Sequence, residues 1–274
     1  MRYKYSLLLV LAAAAAACTG ERDTTAPTPP IPPAPSVLLK DVEIPHLPSP
    51  YYHFEYDTEG RYSAASFASG LTMYDVTYDG GRIKEMRNNI IVNHDRLVYL
   101  YDNAGRVSTV SYTNANGLVF TRLRLSYDGQ NLSRIQRERL INSDFIIDKT
   151  MSFSYYADGN LLELTEHRPA IDGLQDETMT VDHFELYDDK INVDGFSLIH
   201  DDFFDHLVLL PAVQLQKGNP GKQTHTGDGT NYTVNYTYTY DDRNRPLAKN
   251  GDLTFLNGAE AGQRFQTQSL FTYY

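Results

Sequence analysis

The densest group of potential metal ligands in the chain lies at residues 200–206, which read His-Asp-Asp-Phe-Phe-Asp-His. Imidazole and carboxylate groups bind divalent transition metals, so His200, Asp202 and His206 are candidate ligands. Ligands on one helical face stand four residues apart, whereas His200 and His206 are six apart. An acidic amphipathic connecting segment with its phenylalanines and leucines turned inward explains the same residues. We therefore predict neither a metal site nor another cofactor here.

A second candidate functional site is a basic cluster in an otherwise acidic chain. Arg122 and Arg124 alternate with apolar residues, so if the apolar side chains face inward, these two arginines face outward. There they are able to bind an anionic glycan, a lipid headgroup or an acidic protein surface. The alternative is a solvated face balanced by nearby acids such as Glu138. The full cluster comprises Arg122, Arg124, Arg134, Arg137 and Arg139.

The clearest strand pattern runs from Tyr232 to Tyr240, where every even position is aromatic or branched apolar and every odd position is polar. Tyr236 and Tyr238 in this run are candidates for a platform on which a glycan stacks. The alternative is a face packed into the core, which we favour because a sheet normally buries one face.

Hairpins of one type are expected to position these candidate residues. Residues 97–112 show the sequence pattern of this hairpin. An alternating apolar run comes first, as in a half-buried strand. Asp102 and Gly105 then provide a turn, the first by bonding backbone N–H groups and the second by adopting a positive φ. Val107 and Val110 stand three residues apart, so either a β-bulge lies just after the turn or Val107 belongs to the turn itself.

Similar hairpins recur along the chain, and the spacings between their anchor tyrosines are 22, 23, 26 and 28 residues. A last copy ends at Tyr240, where Asn244 takes the place of the turn glycine. The repeats predict a mainly all-β domain over residues 37–274, formed by one continuous curved antiparallel sheet of hairpins. One or two short helices pack on this sheet, mainly between residues 196 and 210. The anchors are Tyr56, Tyr78, Tyr101, Tyr127 and Tyr155.

The first 36 residues predict export, an anchor and a spacer. Arg2 and Lys4 precede an apolar run of 12 residues, which is too short to cross a bilayer and is typical of a secretory signal over residues 1–18. The run ends at Cys18, the only cysteine in the chain, so no disulfide forms within it. Residues 19–36 are rich in threonine and proline, as in a semi-rigid tether.

Residues 15–18, Ala-Ala-Ala-Cys, resemble the lipobox of bacterial lipoproteins. The resemblance implies that Cys18 becomes the lipidated first residue of the mature chain and attaches it to a membrane. The alternative is an ordinary signal peptide followed by an incidental cysteine, because short motifs produce false matches.

The Tyr-Asp-x-x-Gly-Arg units at Tyr56 and Tyr101, with a shortened unit at Tyr78, resemble the YD (RHS-type) repeats of bacterial envelope and secreted proteins. From residue 187 onward the sequence contains, in order, a Tyr-Asp with a following Lys and Asn, an insertion, an Asn-Pro turn and a final hairpin. This order resembles that of a family of uncharacterised Bacteroidota envelope lipoproteins. The resemblance covers about residues 50–250. It implies the fold and an outer-membrane lipoprotein facing the periplasm or the cell surface, and it implies no activity.

Charge and motifs narrow the classes of function. The chain has 24 basic and 35 acidic residues, and removal of Arg2 and Lys4 with the signal leaves a net charge of about −13, which opposes nucleic-acid binding. The sequence contains no nucleophile elbow, phosphate-binding loop, dinucleotide fingerprint or metalloprotease helix.

Three functional hypotheses stay open. We favour a tethered binding or scaffold module for a glycan or an envelope protein. A hydrolase acting on envelope glycan is the alternative, and paired carboxylates on a concave face would favour it. A third interpretation takes residues 270–274 as the terminal strand of a membrane barrel, but charged residues on the outward faces of the predicted strands argue against it.

Overall fold

The computed structural model describes residues 37–90, 94–200 and 206–274, which form sixteen β-strands and one short 3-10 helix. Each strand pairs antiparallel with the next one along the chain, and the last strand pairs with the first. The sheet therefore closes into a barrel. In chain order the strands are β1 (Leu39–Glu43), β2 (Tyr52–Tyr56), β3 (Tyr62–Phe67), β4 (Thr72–Asp79), β5 (Arg82–Asn88), β6 (Arg96–Tyr101), β7 (Val107–Thr113), β8 (Val119–Asp128), β9 (Asn131–Ile141), β10 (Asp144–Tyr155), β11 (Leu161–Arg168), β12 (Thr178–Glu185), β13 (Lys222–Gly227), β14 (Tyr232–Tyr240), β15 (Pro246–Phe255) and β16 (Arg264–Tyr273).

The prediction of an all-β domain is confirmed, whereas the prediction of an open curved sheet is wrong. Val42 of β1 pairs with Phe271 of β16, so the two edges that an open sheet would expose satisfy each other's backbone groups. The last residues of the chain are indeed a terminal barrel strand.

The prediction of helices packed on the sheet is also wrong. The described residues contain no α-helix, and their one helical piece is the 3-10 turn Gly195–Ile199. Residues 207–209, Leu-Val-Leu, are all buried. Three consecutive buried side chains fit an extended segment enclosed on every side rather than one face of an amphipathic helix. Among the described residues, no helix is long and apolar enough to span a membrane.

The hairpins share one irregularity next to the turn. In the β6–β7 hairpin, Tyr101 pairs with Val107 and Leu100 pairs with Thr109, so Ser108 is an extra residue. Of the two alternatives for Val107, the bulge is therefore correct, and it brings the valines of β7 to the same inner face. The same register shift occurs in the hairpins β2–β3, β4–β5, β8–β9, β10–β11 and β14–β15.

The repeated Tyr-Asp-x-x-Gly-Arg sequence has a structural explanation in its turn. Asp102 Oδ1 accepts hydrogen bonds from the backbone N–H groups of Ala104 and Arg106, both at 2.9 Å, and Asp102 Oδ2 accepts one from Arg106 Nε at 2.8 Å. Gly105 adopts φ 80°, as predicted, and Asn244 adopts φ 61° at the equivalent position of the last hairpin. Asp57 with Arg61, and Asp241 with Arg245, repeat these contacts.

The tyrosine of each repeat joins its hairpin to the preceding one. Tyr127 Oη donates to the Val107 carbonyl oxygen at 2.9 Å, and the Arg106 guanidinium lies 4.6 Å from the centroid of the Tyr127 ring. Burial raises the pKa of Tyr101 to about 12, so its hydroxyl stays a donor at neutral pH. The tyrosines that bond a neighbouring hairpin in this way form a tyrosine ring at one end of the barrel: Tyr56, Tyr78, Tyr101, Tyr127, Tyr155, Tyr187 and Tyr273.

Between β12 and β13 the chain enters the barrel as an insert, here defined as residues 187–200 and 206–221. The insert contacts distant parts of the barrel wall. Phe196 packs on Phe54 of β2, and the Leu209 N–H donates to Tyr99 Oη of β6. The Lys217 N–H donates to the Asn160 side chain beside β11. Only a position inside the barrel permits these contacts together. The hydrophobic core therefore lies between the insert and the inner wall.

Candidate functional site

The two candidate metal-binding histidines lie apart and belong to the aromatic packing around the insert. His200 is buried, with Nδ1 2.9 Å from Tyr52 Oη. His206 Nδ1 bonds Tyr74 Oη, and its ring centroid lies 4.8 Å from that of Tyr112. Asp202, the third candidate, lies outside the described residues. Across residues 37–90, 94–200 and 206–274, no group of three or more His, Cys, Asp or Glu side chains is arranged to hold a metal ion.

Arg122 and Arg124 share one acidic partner on the outer face of the barrel. Arg124 Nε lies 2.8 Å from Glu138 Oε1, and Arg122 Nε bonds the other carboxylate oxygen. The Arg122 guanidinium also lies 3.9 Å from the centroid of the Phe145 ring. These contacts hold both arginines flat against the sheet. Two other members of the sequence cluster, Arg137 and Arg139, pair with the inward-facing Leu123 and Thr121, so they point into the barrel.

Tyr236 and Tyr238 both face the barrel interior. Tyr236 Oη donates to Gln223 Oε1 at 2.5 Å, and Tyr238 Oη donates to the Pro220 carbonyl oxygen at 3.0 Å. Their ring centroids are 6.3 Å apart, and burial raises the pKa of both hydroxyls. Lys249 Nζ lies 4.6 Å from the Tyr236 centroid and 2.8 Å from Asp194 Oδ2 in the insert. Both tyrosines are therefore part of the contact between wall and insert.

Most of the inward-facing polar and charged side chains form a row across the inner faces of β9–β15, here called the polar wall. Strand register aligns its members, because Lys149 pairs with Arg137, Glu166 with Thr180, and Asp182 with His225. Glu166 Oε1 accepts a hydrogen bond from Arg168 Nε at 2.6 Å. The polar wall comprises Arg137, Arg139, Lys149, Glu166, Arg168, Thr180, Asp182, Gln223, His225, Tyr236 and Lys249.

One part of the polar wall, here called the His225 network, combines hydrogen-bonding groups with an aromatic face. Asp182 Oδ1 lies 2.8 Å from His225 Nδ1 and accepts a hydrogen bond from Gln223 Nε2 at 2.8 Å. The His225 ring stacks on Tyr232 with centroids 4.7 Å apart and planes 10° apart. The hydrogen bond to Asp182 raises the pKa of His225, so a proton on Nδ1 is favoured. Such a network suits a ligand with hydroxyl groups and an apolar face.

The barrel is open to solvent at the end opposite the tyrosine ring. Phe265 pairs with Leu253 on the inward-facing side of β16, yet 52% of its surface is exposed. Its ring centroid lies 5.5 Å from that of Phe255, which pairs with Tyr232 next to the His225 network. A ligand entering at this end therefore reaches the His225 network past two aromatic side chains.

A separate cavity of about 230 Å³ lies between the insert and β7–β10. Arg137, Arg139 and Lys149 line it, together with apolar side chains from the wall and from the insert. Arg137 Nε and Nη2 each lie 3.0 Å from a carboxylate oxygen of Asp148, which is fully buried at the bulge of β10. Arg139 Nε bonds Asp148 as well.

Sequence reasoning missed the polar wall, although the sequence contains a signal for it. Glu166 lies two residues after the buried Leu164, and Asp182 lies two residues before the buried Phe184. A carboxylate in the alternation of buried apolar residues must face the same side as they do. The pairing of Asp182 with His225 could not be read in advance, because 43 residues and the whole insert separate them.

The two carboxylates of the polar wall each lie beside a nitrogen-bearing side chain. Glu166 contacts Arg168 and lies 3.8 Å from Lys149 Nζ, while Asp182 contacts His225. The pair therefore lacks the difference in environment that glycosidases require of their two carboxyl groups.

These features define the class of fold: a closed antiparallel barrel of sixteen strands with an insert in its interior. No protein-family model matches the chain, and no curated protein matches it either. Among solved structures, it is similar to a porin-like protein from Bacteroides uniformis, with a TM-score of 0.58 and 13% identity over 89% of this chain and 98% of the other. It is also similar to a porin-like protein from Bacteroides vulgatus, with a TM-score of 0.57 and 13% identity over 86% of this chain and 99% of the other. At this identity the similarity concerns the fold.

Proposed function

We propose that this chain is a lipid-anchored protein of the cell envelope whose barrel stands in water and binds a hydroxyl-rich ligand, such as a glycan, inside its open end. The observation that carries the proposal is the His225 network, a set of hydrogen-bonding and aromatic groups on an inner wall that solvent reaches. The hydrolase hypothesis is the alternative, and the cation beside each carboxylate weighs against it.

The outer surface supports a barrel that stands in water. On β5, the outward side chains Lys84 and Arg87 are exposed, and on β14 the outward positions between the tyrosines are threonine and asparagine. Outward apolar residues such as Leu100 stand among polar neighbours. A barrel that spans a membrane needs a continuous apolar band on this surface. The buried core around the insert also occupies the space in which a porin has its channel.

The N-terminal sequence supports the anchor. The resemblance of residues 15–18 to a lipobox assigns the lipid to Cys18, and the Tyr-Asp repeats fit the envelope lipoprotein family that the later sequence resembles. The threonine- and proline-rich composition of residues 19–36 fits a spacer between the proposed lipid and the barrel. The outer membrane is the proposed location, with the barrel in the periplasm or at the cell surface.

The anchor is tested by Cys18→Ser in the full chain. We expect the variant to leave the membrane fraction, because attachment depends on the lipid and not on a spanning segment. Retention of the variant in carbonate-washed membranes would show that the protein is held in another way.

The ligand class is tested with the soluble Cys18→Ser protein and fragments of envelope polysaccharide. We expect saturation-transfer NMR to detect binding that Gln223→Leu abolishes, because Gln223 connects Asp182 with Tyr236 on the inner wall. Thr237→Leu on the outer face of β14 is the matched control and should bind normally. Release of new reducing ends during incubation would favour the hydrolase, and equal loss of binding in both variants would remove the inner site.

A further inference from the structure

We propose that the ligand of the open end is a chain of at least two sugar units, in which one unit binds the His225 network and the next packs on Phe255 and Phe265. This ligand class rests on the proposed function and gives the same site two parts. Three observations support it: an aromatic pair that the core does not use, polar atoms beside it that have no partner, and the width of the strands that carry both.

The aromatic pair, Phe255 and Phe265, lies outside the hydrophobic core. Both residues occupy inward positions, on β15 and β16, and their ring centroids are 5.5 Å apart with planes at 74°. Phe265 nevertheless keeps 52% of its surface exposed, and neither ring is among the described residues that form or border the core. Large apolar side chains gain free energy when they leave water. An inward pair that stays partly in water therefore offers a surface to the apolar face of a sugar.

The polar part of the site has hydrogen-bonding atoms without partners. His225 Nδ1 lies 2.8 Å from Asp182 Oδ1, whereas His225 Nε2 and Tyr232 Oη bond no other group within the part of the chain that the structure describes. The side chains of Asp182 and His225 are only 17% exposed. A purely apolar ligand would cover the aromatic pair and leave such atoms unsatisfied, which costs free energy. The hydroxyl groups of a sugar satisfy them.

Strand register places the two parts side by side. Tyr232 pairs with His225 on one side and with Phe255 on the other, and Phe265 lies on the next strand. Neighbouring strands are about 4.8 Å apart, so the four strands β13–β16 span about 14 Å. A single pyranose ring is shorter than this span and contacts one part at a time. Two linked sugar units reach both parts.

The length of the ligand is tested with fragments of envelope polysaccharide that gel filtration separates into pools of one, two and four sugar units. We expect saturation-transfer NMR with the soluble Cys18→Ser protein to show the longer pools bound about tenfold more tightly than the one-unit pool, because an aromatic contact is worth up to about that factor. Equal affinity for one and two units would overturn the proposal and leave the proposed function intact. Absence of binding by every pool would overturn both.

A pair of variants tests whether the second sugar unit packs on the aromatic pair. Phe265→Ala should weaken binding of the two-unit pool about tenfold and leave binding of the one-unit pool unchanged. Leu118→Ala is the matched control and should bind both pools normally. Leu118 is 53% exposed at the same end of the barrel, but it lies on the turn between β7 and β8.

A second variant keeps the test independent of folding. Phe265→Leu retains an apolar side chain on β16 and removes only the ring, so it should also weaken the two-unit pool while circular dichroism stays that of the wild type. Unchanged binding of the two-unit pool by this variant, or equal weakening of both pools, would overturn the assignment of the second sugar unit to the aromatic pair.

Discussion

The inner wall of the barrel has two halves that are built from the same hairpin and face different surroundings. In the apolar half, β2–β8, side chains such as Phe54, Tyr74 and Leu97 are at most 1% exposed and pack in the core around the insert. In the polar half, β9–β15, the inward positions nearest the tyrosine ring, such as Phe153, are also buried and apolar, whereas the positions farther from it hold the polar wall. The turn, the bulge and the interlocking tyrosine are the same in both halves. The repeat therefore determines the barrel, and the inward positions between the turns determine what each half can bind.

The difference follows from where the insert lies. Apolar side chains gain from burial against Leu207 and Leu209 on one side of the interior. On the other side, charges are kept only where a partner lies close, as Asp182 does beside His225, since an isolated buried charge is costly. The charges of the polar wall therefore lie beside partners on the wall or, as Asp194 is for Lys249, on the insert.

The largest expected effect on stability comes from a substitution in the apolar half. Tyr99→Ala should lower the free energy of unfolding by about 3–5 kcal/mol, because it leaves a cavity in the core and removes the partner of the Leu209 N–H. Tyr232→Ala in the polar half is the comparison and should cost clearly less, since Tyr232 is only half-buried. Denaturant melts measure both, and equal losses would mean that the halves do not differ in packing.

The shared turn should respond alike in both halves. Gly105→Val should lower stability by about 1–3 kcal/mol, because a β-branched residue is strained at φ 80°. Asn244→Val at φ 61° should have a similar effect. Gly105→Asn should cost much less, as asparagine tolerates this region. A Gly105→Val protein as stable as the wild type would show that the turn does not depend on its backbone conformation.

A smaller effect is expected for the turn aspartate. Asp102→Ala should lower stability by about 1–2 kcal/mol at neutral pH, because three hydrogen bonds of a part-exposed group are lost. Burial raises the pKa of Asp102, but hydrogen bonds from Arg106 and Ala104 outweigh it and lower the pKa overall. A lowered pKa in the folded state contributes stability above the unfolded value of about 4, and this is lost on acidification. The wild type and the variant should therefore converge in melts below about pH 4, and a constant difference across that range would contradict the mechanism.

The smallest expected effect on stability is a pH dependence that originates in the polar half. Because the hydrogen bond to Asp182 raises the pKa of His225, its contribution to stability is complete below the unfolded value of about 6.5 and decreases as the pH rises through the folded value. His225→Gln should remove this dependence, while His53→Gln on the outer face of β2 should not. NMR titration of the imidazole signals measures the direction of the shift directly, and a His225 pKa below 6.5 would contradict it.

The parts of the fold that depend on local sequence were predictable. Alternation in residues 97–101 gave the strand, and the spacing of Val107 and Val110 gave the bulge as one of two alternatives. Closure of the barrel was not predictable in this way, because it depends on accumulated twist and strand tilt rather than on any single hairpin. The course of the insert was missed because Leu207–Leu209 has no periodicity. The polar wall was missed because long-range partners such as Asp182 and His225 meet only after closure.

Closure of the barrel also determines the end from which the proposed anchor would leave it. β1 begins at Leu39, whose carbonyl oxygen accepts the hydrogen bond from Tyr56 of the tyrosine ring, so the proposed tether joins the barrel at the tyrosine-ring end. With the proposed lipid on Cys18, this end lies toward the bilayer and the open end points away from it. The proposed binding site at the His225 network then faces away from the bilayer. The C-terminal Tyr274 lies next to the point of attachment, bonded through its N–H to the Leu38 carbonyl oxygen.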